Sequence, residues 1–85
     1  MEILIGKVTR YFNQIGVAVL ELSSELQVGD RVLIIGINTD LSQVVTSMEI
    51  DHQAVQSANA GMEVALKVAG PVRKRDQVYK IVGEL

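Results

Sequence analysis

The chain has no cysteine, no tryptophan, one histidine and one proline among 85 residues. Without cysteine there is no disulfide, no thiolate nucleophile and no zinc site built on sulfur. With a single histidine, His52, no pair of imidazoles can share a metal. Aromatics make up only 4% of the residues, which leaves few rings for stacking on nucleobases. No apolar run approaches the ~20 residues a membrane-spanning helix needs, so no membrane contact is expected. The opening Met1-Glu2-Ile3-Leu4 has neither the basic start nor the long apolar segment of a secretory leader. The expected location is the cytoplasm. The net charge of −2 is the opposite of what a dedicated phosphate-backbone binder carries.

What is present is apolar residues in a period of two. Hydrophobic types reach 48%, dense enough for a single folded domain over residues 1–85. Met62, Val64, Leu66 and Val68 alternate with Glu63, Ala65, Lys67 and Ala69, as in a strand with one core face. Val44 to Asp51 reads as one alternating strand, and Val17 to Leu22 as a strand buried on both faces. Arg31 to Ile35 and Gln77 to Val82 are further β-branched runs, and the first strand covers Glu2 to about Phe12. Gly16 and Gly29 sit where turns need a positive φ, and Asp30 can bond back to nearby amides. Gly36 to Asp40 is expected to be a loop, and residues 53–60 a short extended piece followed by a turn. Gly70-Pro71 ends the Met62 strand, because proline cannot donate to a ladder. The expected fold is all-β: a closed antiparallel barrel of six or seven strands, with short connections and no exposed edges.

Catalytic constellations are sparse. Asp51 and His52 are adjacent, so on a strand their side chains would point to opposite faces. Scattered serines form no Gly-x-Ser-x-Gly elbow, and Glu21, Glu25 and Asp30 read as a solvated connection. No cofactor and no catalytic role are expected. The sharpest local feature is Arg73-Lys74-Arg75, three consecutive cations after Gly70-Pro71-Val72. Lys67, Lys80 and Arg10 would extend that patch if the fold gathers them, and Tyr11 and Phe12 offer rings for stacking. The bland alternative is a solvated loop that keeps a small domain soluble.

Three segments in fixed order resemble the second-domain barrel of elongation factor Tu, initiation factor two and their relatives. They are Ile5-Gly6-Lys7-Val8-Thr9 with Gly16 to Leu20, Leu26-Gln27-Val28-Gly29-Asp30, and Val45 to Ile50 followed by Ala58 to Val68. The resemblance implies a translation-protein barrel and a non-catalytic module contacting the ribosome, tRNA, rRNA or a translation-related protein. No Gly-x-x-x-x-Gly-Lys-Ser/Thr loop occurs, so GTP hydrolysis does not carry over. Barrels resembling this one also occur as terminal appendages of collagenase-like peptidases. That implies an alternative role as an accessory subunit or detached domain of a peptidase or GTPase, for which an exposed apolar patch is expected. The oligomeric state is left open.

Overall fold

The computed structural model describes residues 1–83. Among the described residues ten strands follow one another: β1 (Glu2–Phe12), β2 (Val17–Leu22), β3 (Leu26–Gln27), β4 (Arg31–Gly36), β5 (Thr39–Val44), β6 (Met48–Ile50), β7 (Gln53–Val55), β8 (Ser57–Ala58), β9 (Glu63–Lys67) and β10 (Gln77–Ile81). The described residues contain no helix. Eight strands form one antiparallel sheet in the order β5-β4-β10-β1-β2-β9-β6-β7, and β3 pairs with β8 alone. One face of this arrangement buries a single apolar cluster. Ile5, Leu20, Leu26, Ile34, Met48 and Leu66 are its largest fully buried side chains.

β1 pairs with β10 on one side and β2 on the other, with a register shift on each side. The shift against β10 falls between Leu4 and Gly6, and the one against β2 between Val8 and Arg10. Such bulges bend a strand and sharpen its twist. Gly6 is required at the first of them. A Cβ there would collide with the Glu21 carbonyl of β2. The β1–β2 hairpin turns through Gly16 at φ 66°, and the Gly16 amide donates to the Phe12 carbonyl at 2.9 Å.

The closed barrel expected from the sequence is corrected here. The strand ladder is open, with β5 and β7 at its ends. The turn after β3 joins these ends instead of a ladder. Val28 donates its amide to Gln56 just beyond β7 at 2.9 Å, and Gly29 donates to Val45 just beyond β5 at 2.9 Å. Val45 in turn donates to the Asp30 carbonyl at 2.8 Å. A side chain completes the seam on the other side of β5. The Gln43 amide donates to the Lys67 carbonyl at 2.8 Å and accepts from the Ala69 amide at 2.7 Å. A primary amide carries the same donor and acceptor as a peptide unit, so it extends the ladder by one step.

Three further expectations change. Val44 to Asp51 is not one strand. Val45 and Met48 are both buried, three positions apart, and a period of two cannot place them on one face. The chain leaves β5 to pair with the Gly29–Asp30 turn and resumes as β6. Gly36 to Asp40 is not a loop, because Gly36 pairs with Thr39 around a two-residue tip of Ile37 and Asn38. Val17 to Leu22 has one core face: Ala18, Leu20 and Leu22 are buried, and Glu21 is exposed. Replacing Gln43 with alanine removes both seam bonds. It is expected to lower stability by about 1–2 kcal/mol in urea denaturation, with Gln43→Glu, which keeps only the acceptor, recovering part of the loss.

Candidate interaction surface

The basic segment between Val72 and β10 is a turn anchored from below. Asp76 is buried, and its carboxylate accepts the Arg73 amide at 2.8 Å. The Asp76 amide donates back to the Arg73 carbonyl at 3.1 Å. Arg75 and Asp76 are also bonded to β1, through Arg75 N–H to the Val8 carbonyl at 2.7 Å and Val8 N–H to the Asp76 carbonyl at 2.8 Å. Gly36 on β4 leaves room for the Asp76 carboxylate, which a Cβ would overlap. The same device closes the other tight turn. There the Asp30 carboxylate accepts the Gln27 amide at 2.9 Å, and the Asp30 amide donates to the Gln27 carbonyl at 3.1 Å.

The two turns differ at their third residue. Gly29 has φ 99°, whereas the matching position in the basic turn is Arg75 at φ 79°. This left-handed geometry is free for glycine and costs an ordinary L-residue roughly 1 kcal/mol. A strained arginine where glycine would serve points to a use for its side chain.

Arg73, Lys74 and Arg75 are all exposed. They line an open groove of about 450 Å³ shared with the β4–β5 tip, where Ile37 is 100% exposed. Arg73 also borders a second depression with Tyr11, Asn13, Asn38 and Pro71. Tyr11 is half-buried against the core, and Phe12 is exposed at the end of β1 beside Ile15. Arg10 is exposed on β1. The fold thus brings Tyr11 to Arg73 but does not gather the other cations. Lys67 donates to the Ile15 carbonyl at 3.1 Å. Lys80, toward the far end of β10, donates to the Glu25 carbonyl at 3.0 Å and lies 3.9 Å from the Asp30 carboxylate. Lys7 faces Glu21 at 3.7 Å.

His52 and Asp51 occupy the β6–β7 turn, at φ 65° and 51°, not a strand as expected. Two consecutive positive φ values are what a two-residue hairpin of this twist demands. Among the described residues, no group of three or more histidine, aspartate or glutamate side chains is placed to hold a metal. No described helix is long and apolar enough to cross a membrane.

No protein-family profile matches the chain. Its fold is found elsewhere. The C-terminal domain of a Geobacillus thermoleovorans protein assigned to the U32 peptidases superposes with a TM-score of 0.87 at 21% identity, covering 93% of this chain and 92% of that domain. The chain has the fold of a U32-type C-terminal domain. The selenomethionine form of that domain gives 0.84 at 20% identity, covering 88% of this chain and 95% of its own. In sequence, the chain is 40% identical over 79 residues to an uncharacterised protease of Methanocaldococcus jannaschii, covering 92% of this chain and 19% of the protease. It is 35% identical over 81 residues to a collagenase of Porphyromonas gingivalis, covering 93% of this chain and 20% of the collagenase. The chain therefore spans about a fifth of the length of these relatives.

These relatives correct two expectations. The translation-factor resemblance rested on strand pairs and turns that other β domains share; at its turn, Gly29 supplies the positive φ and Asp30 caps the amide of Gln27. The relatives that share sequence along the chain are a protease and collagenases. The expectation of no enzymatic role is corrected by the same names: the relatives are named as a protease and collagenases, and this chain matches about a fifth of their length. The RNA and ribosome contacts were implied by the translation-factor resemblance and lose that support.

Asp76→Ala is expected to cost about 1–3 kcal/mol, because it strips the acceptor from a turn fixed to β1. Arg75→Gly is expected to leave stability unchanged or raise it by up to about 1 kcal/mol. Urea titration of both variants checks the pair, and a clear loss in Arg75→Gly would mean that its side chain stabilises the fold.

Proposed function

We propose that this chain works as the C-terminal-type β domain of a collagenase-like U32 peptidase, contributing to peptide hydrolysis as one part of that enzyme. The observation that carries the reading is the 40% identity to a protease over 79 residues, reinforced by the fold of the Geobacillus domain. The substrate proposed for the assembled enzyme is a collagen-type polypeptide, after the names of the Porphyromonas gingivalis relatives. Within that enzyme, Arg73, Lys74 and Arg75 are assigned to contacts with acidic groups of substrate or partner. The strained φ of Arg75 and the exposure of all three support this role.

The test uses the Methanocaldococcus jannaschii relative with and without the segment that matches this chain. Hydrolysis of gelatin is expected to fall at least several-fold when the segment is removed and to recover when this chain is supplied, either fused in its place or added in excess. Equal hydrolysis with and without the segment would contradict the reading. In the fused enzyme, reversing the three basic charges is expected to weaken KM at low salt and to matter less at high salt.

A further inference from the structure

The outward side of the sheet carries an apolar row that the alternation of a one-sided sheet does not require. Leu33 of β4, Tyr79 of β10 and Leu4 of β1 are register partners on adjacent strands. Their chain neighbours Val32 and Val78 are buried in the core, so the row itself points outward. The Tyr79 hydroxyl donates to Gln77 two residues away at 2.8 Å, which lays the ring along this same outer face. Ile35 and Ile81 stand on the same face one step to either side, and Val44 continues it on β5 as the register partner of Arg31. Leu4 is 48% exposed and Val44 39%. Glu2, Lys7, Arg31 and Asp40 border the patch with charges of both signs, Arg31 standing between Ile81 and Val44. An apolar centre holding a tyrosine, inside a mixed polar rim, is the make-up of a protein contact. A mixed rim does not suit a polyanion.

Resting on the reading above, we propose that this face seats the N-terminal body of a U32-type peptidase. The place where the chain enters the fold selects that occupant. In the Geobacillus protein this fold is the C-terminal domain, so the rest of that peptidase precedes it. The fold is entered at Met1 and Glu2, and Glu2 pairs with Ile81, one step from the Leu33–Tyr79–Leu4 row. The Val82 amide donates to the Met1 carbonyl at 2.8 Å, fixing the entry point against the end of β10. A body tethered there is held beside this face at an effective concentration of order millimolar for a short linker. The basic turn adjoins the opposite end of β10, next to Gln77, and its Arg75 borders the depression that Leu4 and Lys7 line.

The test mixes this chain with the Methanocaldococcus jannaschii relative lacking its matching segment, and measures binding by fluorescence anisotropy. Leu4→Glu is expected to weaken binding at least tenfold while Glu49→Lys, at an exposed position of β6 outside the patch, leaves it unchanged. The chain lacks cysteine, so Leu4→Cys adds a single label site. Its alkylation is expected to slow at least tenfold when the body is added. If the chain binds but Leu4→Glu binds equally well and Leu4→Cys stays reactive, the face is wrong and the peptidase reading survives. If the chain does not bind at all, both fail. If the chain alone is a dimer that Leu4→Glu dissolves, and the body does not compete, the occupant is a second copy and the proposal is overturned.

Discussion

The double pairing of β1 governs the rest of the structure. This eleven-residue strand holds β2 on one edge and β10 on the other, and so ties the chain's entry to its last strand. Its two bulges set how it bends over the core. The first leaves the sequence neighbours Ile5 and Gly6 both buried, and it demands glycine at position 6, where the strand meets the Glu21 carbonyl. The second lies near Thr9, whose hydroxyl donates to the Val19 carbonyl at 3.2 Å. Just before it, Val8 is where the Asp76 turn is fastened. The apolar outer row and the basic turn are therefore both positioned by one strand.

The sheet is open, and individual bonds tie its ends. Two aspartates cap two tight turns, one side-chain amide stands in for a peptide, and a two-strand piece fills the remaining gap. These are geometry-dependent bonds, each with a modest net contribution. They let a small domain present two chemically different surfaces. One is a basic turn beside a fully exposed isoleucine, and the other is an apolar patch next to the chain entry.

The sequence revealed most of this sheet and little of its use. Alternation located β1, β9 and β10, and the turns at Gly16 and Gly29 have the positive φ expected of them. It misjudged Val44 to Asp51, because apolar alternation persists across a change of pairing partner. It also could not show that Gln43 would act as a ladder step, since its partners Lys67 and Ala69 lie far along the chain. At the surface, Arg73, Lys74 and Arg75 were legible as a run of charge. The Asp76 anchor and the strain at Arg75 depend on three-dimensional contacts. The outer row was hidden for a simpler reason: Leu4, Leu33 and Tyr79 come from three distant strands, and each alone looks like ordinary strand composition. The translation-factor resemblance drew on strand and turn patterns that β domains of different function share, whereas similarity over 92–93% of the chain leads to a protease and a collagenase, in line with the alternative of a peptidase appendage.

An experimental structure of the intact Methanocaldococcus jannaschii relative is the most direct test. The account requires its matching segment to adopt this open sheet, with the surface equivalent to Leu4, Leu33 and Tyr79 buried against the preceding part of the chain. A segment folded this way but with that surface in solvent, and a different face packed on the body, would contradict it.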